Sequence, residues 1–330
     1  MATEQLESLI ATLGMTDIIR LQNLLSKELT RRFEKPMAVA FSDVVGSTEY
    51  FARFGDEAGR RLQQRHFDLL NQAVPAKGGR VVDTAGDGAF LAFPSVDAAI
   101  ESLIDFQKRV SLDNLNHPRN HQMSVRTGIH FGPVLTDGQA VTGDAVNLGS
   151  RVTSTASGGE LRLTRDAYLA CTNFGHRLLC RGMPPMNLKG ISRPVDLLVL
   201  EWRDLSLFPA SVVLEETGET FTLPPLDTIT FGRLKEHDGV LANDIVLALP
   251  DPRASQQISR WHFELRRRAD GFLFHLITEQ RTEVDGAPVS KGQQVKLKPD
   301  STVKISNVAT LRFVPNPSRQ LNSDSTLAPV

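Results

Sequence analysis

Cysteine is scarce in this 330-residue sequence, which contains only Cys171 and Cys180. Two thiols supply neither a disulfide framework nor a zinc cluster, and such low usage is typical of a reducing compartment. We therefore expect a cytoplasmic protein in which both cysteines serve as small hydrophobic residues.

The sequence also has no excess of positive or negative charge and no long hydrophobic run. The net charge of −1 predicts no binding to nucleic acid or to an anionic membrane. No apolar run approaches the ~20 residues that span a bilayer. The N-terminus carries Glu4 before its first apolar positions, unlike a secretory signal. The length, with 41% hydrophobic and 23% charged residues, predicts about two globular domains.

The most informative stretch is GRVVDTAGDGAFLAF, residues 79–93. Its apolar runs Arg80–Val82 and Ala89–Phe93 flank Gly86-Asp87-Gly88, which predicts a tight β-hairpin. Glycines on both sides let the backbone approach a ligand while Asp87 projects from the tip. In an isolated GDG turn the Asp more often caps its own backbone, so a second carboxylate has to decide the interpretation.

That second carboxylate is Asp43, which follows the apolar run Met37–Phe41. The small-residue turn Val44–Thr48 comes next, before a helical pattern begins. A strand that delivers a carboxylate to a helix start combines a hard oxygen ligand with free N–H groups, as a metal-bound polyphosphate requires. Two such carboxylates on neighbouring strands can hold a pair of Mg²⁺ or Mn²⁺ ions.

Helical and strand-like patterns alternate through this part of the chain. Residues 49–76 and 96–110 have helical periodicity and lie among strand-like runs, which predicts an α+β domain with one sheet backed by helices. Upstream, two amphipathic helices are predicted on either side of Gly14, with Thr16 or Asp17 as N-cap of the second. Their apolar stripe can pack on the domain or on a second chain. His66 lies in an apolar pattern and is interpreted as a packing residue.

Five blocks occur in order: FSDVVGST, VVDTAGDGAFLAF, RTGIHFGPV, GDAVNLGSRV and LKGISRPVDLLVLEW. From about Lys35 to Trp202 they resemble the catalytic domain of the class III adenylate and guanylate cyclases. The resemblance implies a ferredoxin-like βαββαβ core sheet backed by helices. It also implies an enzyme that uses two Mg²⁺ or Mn²⁺ ions to convert a nucleoside triphosphate to the 3′,5′-cyclic monophosphate and pyrophosphate. Its sites would lie between the two chains of a homodimer.

The resemblance assigns roles to single residues. Asn147 orients the ribose and Arg151 stabilises the transition state, and a spacing of four places both on one face of a helix. In the family these two residues come from one catalytic domain and the metal-binding residues from the other. The residues assigned to metal binding are Asp43, Asp87 and Val44, and those assigned to triphosphate binding are Val45, Gly46, Ser47 and Thr48.

Two positions bear on the choice of base. Asp83 stands where adenylate cyclases carry a lysine and guanylate cyclases a glutamate. A carboxylate can accept hydrogen bonds from the N1–H and 2-amino groups of guanine, which favours GTP, although Asp is one methylene shorter than Glu. Ala140, at the second base-reading position, offers no side-chain donor or acceptor. ATP, GTP and pyrimidine nucleotides all remain open, as does a catalytically inactive cyclase-fold scaffold that assembles proteins.

A second pattern begins after the linker, residues 204–210. Ten short strand-like runs occur at the spacing of a β-sandwich. The motifs GR, NDI and SRWH follow in order, and together they resemble a forkhead-associated (FHA) domain, which binds phosphothreonine peptides. The resemblance implies an all-β FHA sandwich in which Arg233 and Ser259 hold the phosphate and Arg260 supports the peptide. His262 would be a structural residue of the loop.

The chain departs from the FHA pattern in one loop. Gln280 replaces the asparagine that grips the peptide, Arg281 replaces a turn glycine, and Glu279 adds negative charge near the expected phosphate. A protein-interaction module that no longer needs phosphate is therefore the alternative for this domain. The predicted organisation is an N-terminal helical segment with a dimerisation role (1–34), a cyclase domain (35–203), the linker (204–210), an FHA domain (211–315) that docks a phosphorylated partner, and a disordered tail (316–330).

Overall fold

The computed structural model describes residues 10–268 and 270–316. By their internal contacts the described residues divide into two compact units, 10–107 with 123–201, and 108–122 with 202–268 and 270–316. Part of the first predicted N-terminal helix and nearly all of the predicted tail lie outside the described residues. Among the residues described, no helix has the length and apolar character needed to cross a membrane.

One mixed sheet forms the centre of the first unit. Its strands are β1 (Glu34–Val44), β2 (Arg80–Ala85), β3 (Gly88–Phe93), β4 (Val125–Thr136), β5 (Val141–Thr142), β6 (Leu161–Thr164), β7 (Cys180–Gly182) and β8 (Leu197–Leu200). Their order is β2-β3-β1-β4-β6-β8-β7, with β5 paired to β4. The small and β-branched residues Ala38, Val39 and Ala40 bury the middle of β1, which lies between β3 and β4.

Helices connect these strands in the predicted βαββαβ order, which confirms the expected fold class. The described helices in this part of the chain are α1 (Met15–Phe33), which precedes β1, then α2 (Ser47–Ala73), α3 (Val96–Asn114), α4 (Asp144–Thr155), α5 (Arg165–Ala170) and α6 (Phe174–Leu178), with single 3₁₀ turns at Pro75–Lys77 and Arg119–His121. The predicted N-cap of α1 is wrong. Gly14 is the N-cap, because the helix begins one residue before Thr16, and Asp17 instead lies in the first turn, where its charge favours the helix dipole.

A close approach of backbone to backbone fixes helix α4 against the sheet. A Cβ atom on Gly128 of β4 would lie 2.5 Å from Oγ1 and 2.6 Å from the backbone nitrogen of Thr153. Only glycine leaves room for α4 at this distance. The position of α4, and of every side chain it carries, therefore depends on the absence of a side chain at residue 128.

The second unit is an all-β sandwich, as predicted. Its described strands are β9 (Pro209–Leu214), β10 (Glu219–Thr222), β11 (Thr228–Gly232), β12 (Glu236–His237), β13 (Val240–Leu241), β14 (Ile245–Val246), β15 (Phe263–Arg268), β16 (Gly271–Leu276), β17 (Thr282–Val284), β18 (Ala287–Val289), β19 (Gln294–Leu297), β20 (Thr302–Ile305) and β21 (Ala309–Pro315), with a short helix α7 (Pro252–Gln256) and a 3₁₀ turn at Leu205–Leu207.

Two sheets share the core of this sandwich. One has the order β10-β9-β21-β20-β17-β18 and the other β14-β11-β15-β16-β19. Buried side chains from both sheets, including Phe231, Phe263 and Phe313, form one cluster. The two-residue strands β12 and β13 lack apolar alternation and are exposed, which is why the sequence pattern did not predict them.

Candidate functional site

The Gly86-Asp87 turn joins β2 to β3, with Ala85 paired directly to Gly88. Gly86 has φ +62° and Asp87 does not have a positive φ, the distribution of a type II′ hairpin turn. Among the described residues, the buried oxygen Oδ2 of Asp87 has no hydrogen-bond partner. A buried carboxylate oxygen without a donor is costly unless a ligand binds it. Asp87 therefore does not merely cap its own turn.

Asp43 lies at the end of β1, directly opposite Arg126 of β4. The Arg126 Nε donates to Asp43 Oδ2 at 2.8 Å. Burial raises the pKa of Asp43, and the negative charge of Asp87 raises it further, although the Arg126 hydrogen bonds oppose both effects. The two carboxylates are thus close enough to repel each other, and one Arg does not fully compensate them.

These carboxylates fit the divalent cations predicted for this position. Both offer hard oxygen ligands, which suit Mg²⁺ and Mn²⁺, and one oxygen of Asp87 is buried without a donor from the described part of the chain. Bound cations would also remove the repulsion that raises the pKa of Asp43. The donor set of Asp43 and Asp87 therefore fits the expected metal site.

The turn after Asp43 leads into α2. Gly46 is the N-cap of that helix with φ +73°, and within residues 10–268 and 270–316 no side chain caps the helix start. The backbone N–H of Val45 already donates to the Ser124 carbonyl at 2.8 Å. That amide is therefore already used within the protein, and the role predicted for Val45 in triphosphate binding stays a prediction that would require this bond to break. The amides of Gly46, Ser47 and Thr48 remain as the candidate cradle.

A cavity of about 450 Å³ opens beside Asp43. Asp83 also lines it, because a β-bulge between Val81 and Asp83 redirects the strand locally. The Asp83 Oδ1 accepts from the backbone N–H of Thr84 at 2.8 Å. The structure thus brings a predicted metal ligand and the predicted base-selecting carboxylate to one cavity. Its complete lining is Phe41, Ser42, Asp43, Asp83, Ala85, Gly88, Ala89, Phe90, Val146, Ser150, Thr153 and Ser154.

Helix α4 presents different faces to different surroundings. Val146, Ser150 and Ser154 line the cavity of their own chain. Asn147 and Arg151 are exposed, one turn apart on the adjoining face, and neither lines that cavity. The structure therefore does not bring Asn147 and Arg151 together with Asp43 within one chain.

Ala140 lies in the turn between β4 and β5 and is exposed. Its carbonyl accepts from Thr136 Oγ1 at 2.6 Å, and its N–H donates to Asp137 Oδ1 at 2.9 Å. Ala140 does not line the cavity that contains Asp83. Its methyl side chain forms no hydrogen bond to a base from any position.

The sequence analysis assigned neither His66 nor Arg126 to this site. His66 of α2 is buried and is hydrogen-bonded through Nε2 to Ser42 Oγ at 2.8 Å. Burial lowers the pKa of His66 to about 4, although the charge and backbone of Asp87 oppose the shift. His66 is thus a neutral residue behind both strands that carry the metal-binding candidates. The place of His66 beside these strands follows only from contacts between residues that are distant in sequence.

Two loops of the second unit hold the predicted phosphate-binding residues. The Arg233 N–H donates to the Ser259 carbonyl at 3.0 Å. The buried Asn243 Nδ2 donates to the carbonyls of Leu234 and Arg260 at 2.8 and 2.7 Å, so it ties the same two loops together. A Cβ atom on Gly232 would lie 2.2 Å from the Arg260 carbonyl oxygen. The side chains of Arg233 and Arg260 are exposed on these fixed loops.

Ser259 is supported by two further residues. Its hydroxyl is hydrogen-bonded to Thr278 Oγ1 at 2.7 Å, a partner that the sequence did not predict. Its N–H donates to Nδ1 of His262 at 3.1 Å, and the other ring nitrogen is hydrogen-bonded to Thr282 Oγ1 at 2.9 Å. Burial lowers the pKa of His262 to about 4. The neutral ring therefore has the structural role expected from the sequence.

The departures from the FHA pattern lie in the loop after β16. The Glu279 carboxylate is paired with Lys291 at 3.1 Å, and Arg281 is paired with Glu283 at 2.7 Å. Gln280 is exposed, and its Oε1 accepts from Ser306 Oγ at 3.4 Å. The negative charge of Glu279 thus has a cationic neighbour, which reduces its repulsion of an anionic ligand.

Comparison with known proteins gives two family matches. A family model described as the adenylate and guanylate cyclase catalytic domain matches residues 30–200, and one described as the FHA domain matches residues 229–306. An adenylate cyclase of Streptomyces coelicolor is 32% identical over 146 residues, which cover 44% of this chain and 35% of that protein. An adenylate cyclase of Lachancea kluyveri is 26% identical over 49% of this chain and 10% of that protein. The chain thus spans about a third or less of the length of these curated relatives.

Solved structures are similar over the first unit. The adenylyl cyclase CyaB of P. aeruginosa is 23% identical with a TM-score of 0.45, over 51% of this chain and 94% of that one. The guanylate cyclase domain of RhGC from Catenaria anguillulae, solved with GTP, is 19% identical with a TM-score of 0.43, over 51% of this chain and 97% of that one.

Proposed function

Because the chain belongs to the adenylate and guanylate cyclase catalytic domain family over residues 30–200, we propose that it is a nucleotidyl cyclase that works as a homodimer. It converts a nucleoside triphosphate to the 3′,5′-cyclic monophosphate and pyrophosphate. The observation that carries the proposal is the buried oxygen of Asp87, which has no hydrogen-bond partner among the described residues. Asp87 lies in the turn before β3, and β3 pairs with β1, the strand that ends with Asp43 and Val44. A structural turn would have no reason to keep that oxygen without a donor.

The residues of this chain have separate tasks in that reaction. Asp43 and Asp87 hold two Mg²⁺ or Mn²⁺ ions, with the backbone of Val44 beside them. When bound, the ions supply Lewis acidity to the ribose 3′-hydroxyl and to the triphosphate. The amides of Gly46, Ser47 and Thr48 bind phosphate oxygens at the helix start. The stacked rings of Phe41 and Phe90, 4.8 Å apart, line the cavity with apolar surface and limit the entry of water.

The exposed face of α4 supports the homodimer. Asn147 and Arg151 do not line the cavity of their own chain, although the family assigns them to substrate. A second copy therefore supplies them: Asn147 orients the ribose and the Arg151 guanidinium stabilises charge on the phosphoryl group. Each dimer then has two complete sites, and an isolated chain has none.

Asp83 makes GTP the favoured substrate. It lines the same cavity as Asp43, and an ionised carboxylate can accept from both donors on the guanine edge. Adenine offers it only the 6-amino group. Ala140 contributes nothing to this choice, so discrimination depends on one side chain and will be modest.

The activity test is incubation of the purified full chain with Mn²⁺ and ATP, GTP, CTP or UTP separately, followed by measurement of cyclic product and pyrophosphate. GTP is expected to react fastest. Asp43→Ala should abolish turnover while the chain remains folded, and Asp196→Ala, which removes an exposed carboxylate paired with Arg165, should not. No product from any nucleotide with a dimer present would instead favour the scaffold.

A mixing experiment tests the shared site separately. Asp43→Ala and Arg151→Ala chains should each be inactive alone. Mixed in equal amounts, they should recover about a quarter of the wild-type rate, because about half of the dimers would be mixed and each would have one complete site. No recovery, with exchange of chains demonstrated by labelling, would show that both residues act within one chain.

The second unit is proposed to dock a phosphothreonine-containing partner and so to regulate the cyclase. Arg233, Ser259 and Arg260 lie on two loops joined through Asn243, which supports a preformed phosphate site. A phosphothreonine peptide library should select ligands that bind the wild type and fail to bind Arg233→Ala. Equal binding of phosphorylated and unphosphorylated peptides would favour the phosphate-independent module.

A further inference from the structure

Asp97 lies at the start of α3, and its carboxylate contacts the segment between α5 and α6. Its Oδ1 accepts from Cys171 Sγ at 2.9 Å and from His176 Nδ1 at 2.9 Å. Its Oδ2 accepts from the N–H of Thr172 at 2.9 Å and from its hydroxyl at 2.6 Å. The proposed cyclase function uses none of these side chains.

The three potential ligand atoms are grouped closely. The thiol sulfur, the imidazole Nδ1 and a carboxylate oxygen all lie within 4.8 Å of one another. In a tetrahedral zinc site, bond lengths of about 2.0–2.3 Å place ligand atoms roughly 3.4 Å apart. Small movements of these three side chains would therefore be enough for their ligand atoms to bind one ion.

The two protons donated to Asp97 indicate where a cation would bind. The Cys171 thiol and the His176 Nδ1–H both donate to the same oxygen, Asp97 Oδ1. The lone pairs that remain when those two protons leave would point into the same space. A cation placed there takes the position of the protons and keeps the carboxylate as its third ligand.

The other nitrogen of His176, Nε2, lies 3.5 Å from Asn173 Nδ2 and close to a carboxylate. This nitrogen faces the Glu101 carboxylate at 3.9 Å, one turn beyond Asp97 on α3, and Glu101 is itself paired with Lys77 at 2.8 Å. A carboxylate behind a ligating imidazole fixes its tautomer and its orientation. The proton of His176 would therefore move to Nε2 when Nδ1 binds a metal.

We infer that Asp97, Cys171 and His176 form a structural site for a thiophilic divalent cation, represented by Zn²⁺, with water as the fourth ligand. On binding, the S–H bond breaks, a metal–thiolate bond forms, and one proton passes to solvent. The site joins the start of α3 to Cys171 after α5 and to His176 within α6, so it stabilises this part of the first unit. Its sulfur ligand distinguishes it from the all-oxygen site at Asp43 and Asp87.

A reactive thiol explains the cluster less well. Burial and the neighbouring Asp97 raise the pKa of Cys171 to about 12, so the metal-free thiol stays protonated and is a poor nucleophile. Burial also raises the pKa of Asp97, but the hydrogen bonds from Cys171, Thr172 and His176 outweigh it and hold that pKa below its usual range. The remaining alternative is a hydrogen-bonded cluster without any cation.

The test uses the full chain, stripped with a chelator and titrated with Co²⁺ as a spectroscopic substitute for Zn²⁺. The wild type should show a thiolate-to-cobalt charge-transfer band and intense tetrahedral d–d bands at one equivalent, and Zn²⁺ should displace them. Cys171→Ser should lose the charge-transfer band. Cys180→Ser and Asp43→Ala should keep it, since neither residue supplies a ligand.

Thermal unfolding gives a second test, which remains informative if a variant folds poorly. One equivalent of Zn²⁺ should raise the thermal unfolding midpoint of the wild type and of Cys180→Ser, but not of Cys171→Ser or His176→Asn. Absence of the charge-transfer band in the wild type, or its persistence in Cys171→Ser, would overturn the inference. So would an equal stabilisation by Zn²⁺ of the wild type and Cys171→Ser.

Discussion

Ser42 and His66 are hydrogen-bonded at 2.8 Å across 24 residues of sequence, and both side chains are buried. Ser42 immediately precedes Asp43, and the charge and backbone of Asp87 act on the His66 ring. One neutral imidazole thus lies behind both carboxylates of the candidate metal site. We interpret His66 as a positioning residue, because it reaches the proposed cations only through the two strands.

We predict that His66→Leu will lower the free energy of unfolding by about 1–3 kcal/mol, because it leaves the buried Ser42 hydroxyl without its partner. It should also weaken Mn²⁺ binding, measured by calorimetric titration without nucleotide. His66→Gln, whose amide can reach the same hydroxyl, should restore part of both losses. A variant that loses stability but binds Mn²⁺ like the wild type would limit His66 to packing.

Arg126 should oppose cation binding, since its guanidinium already neutralises part of the charge on Asp43. We expect Arg126→Met to lower the thermal midpoint of the metal-free chain and to increase the rise in that midpoint caused by Mn²⁺. Arg165→Met is the matched control, because it removes an exposed pair with Asp196. A smaller Mn²⁺ shift in Arg126→Met than in the wild type would mean that Arg126 organises the site for the cation.

Gly128→Ala should push α4 away from β4, because the new Cβ would overlap the Thr153 backbone. Turnover should fall on the order of 10²-fold if Asn147 and Arg151 move with the helix. Mn²⁺ binding, which depends on β1 and the β2–β3 hairpin, should change little. Gly182→Ala is the control, since its Cβ would meet no atom within 4 Å. Normal turnover in Gly128→Ala would contradict the fixed position of α4.

The second unit should lose stability in acid through His262. Its folded pKa of about 4 lies below the ordinary histidine value of 6.5, so the unfolded chain binds the proton more readily. The stabilising contribution of neutral His262 is complete above about pH 6.5 and declines as the pH falls towards 4. Urea unfolding of the full chain at several pH values should show this decline, by roughly 1–3 kcal/mol.

A matched pair of variants isolates that contribution. His262→Asn, whose side-chain oxygen can accept from the Ser259 N–H, should show a flatter pH dependence between about pH 6.5 and pH 4. His237→Asn changes an exposed histidine and should keep the wild-type slope. If His262→Asn and the wild type have the same slope, another group accounts for the acid sensitivity.

The residues predicted from sequence were those set by short contiguous motifs. Both family resemblances and the fold class are confirmed, because glycine turns, apolar runs and block order are local properties. Asp43 and Asp83 line one cavity as those motifs suggested. The metal, ribose and phosphate roles themselves remain predictions.

The missed residues depend on contacts between distant parts of the chain. Arg126 meets Asp43 across 83 residues, and Cys171 meets Asp97 across 74. No periodicity or motif encodes such pairs. Counting cysteines excluded a zinc cluster made of thiols, but it could not anticipate a mixed group in which one thiol joins an imidazole and a carboxylate. Val45 was assigned by its place in a motif, and its amide proved to be used by the Ser124 carbonyl.

Because α4 has these two faces, the activity of the proposed enzyme would depend on the concentration of the chain. Helix α4 lines the cavity of its own chain but leaves Arg151 outside it. Under the proposed mechanism, catalytic sites would form only when two chains associate. In dilute solution the rate would rise with the square of the chain concentration, and then linearly once pairing saturates. A cell could therefore set its cyclic nucleotide output through expression level, with no change in the catalytic chemistry.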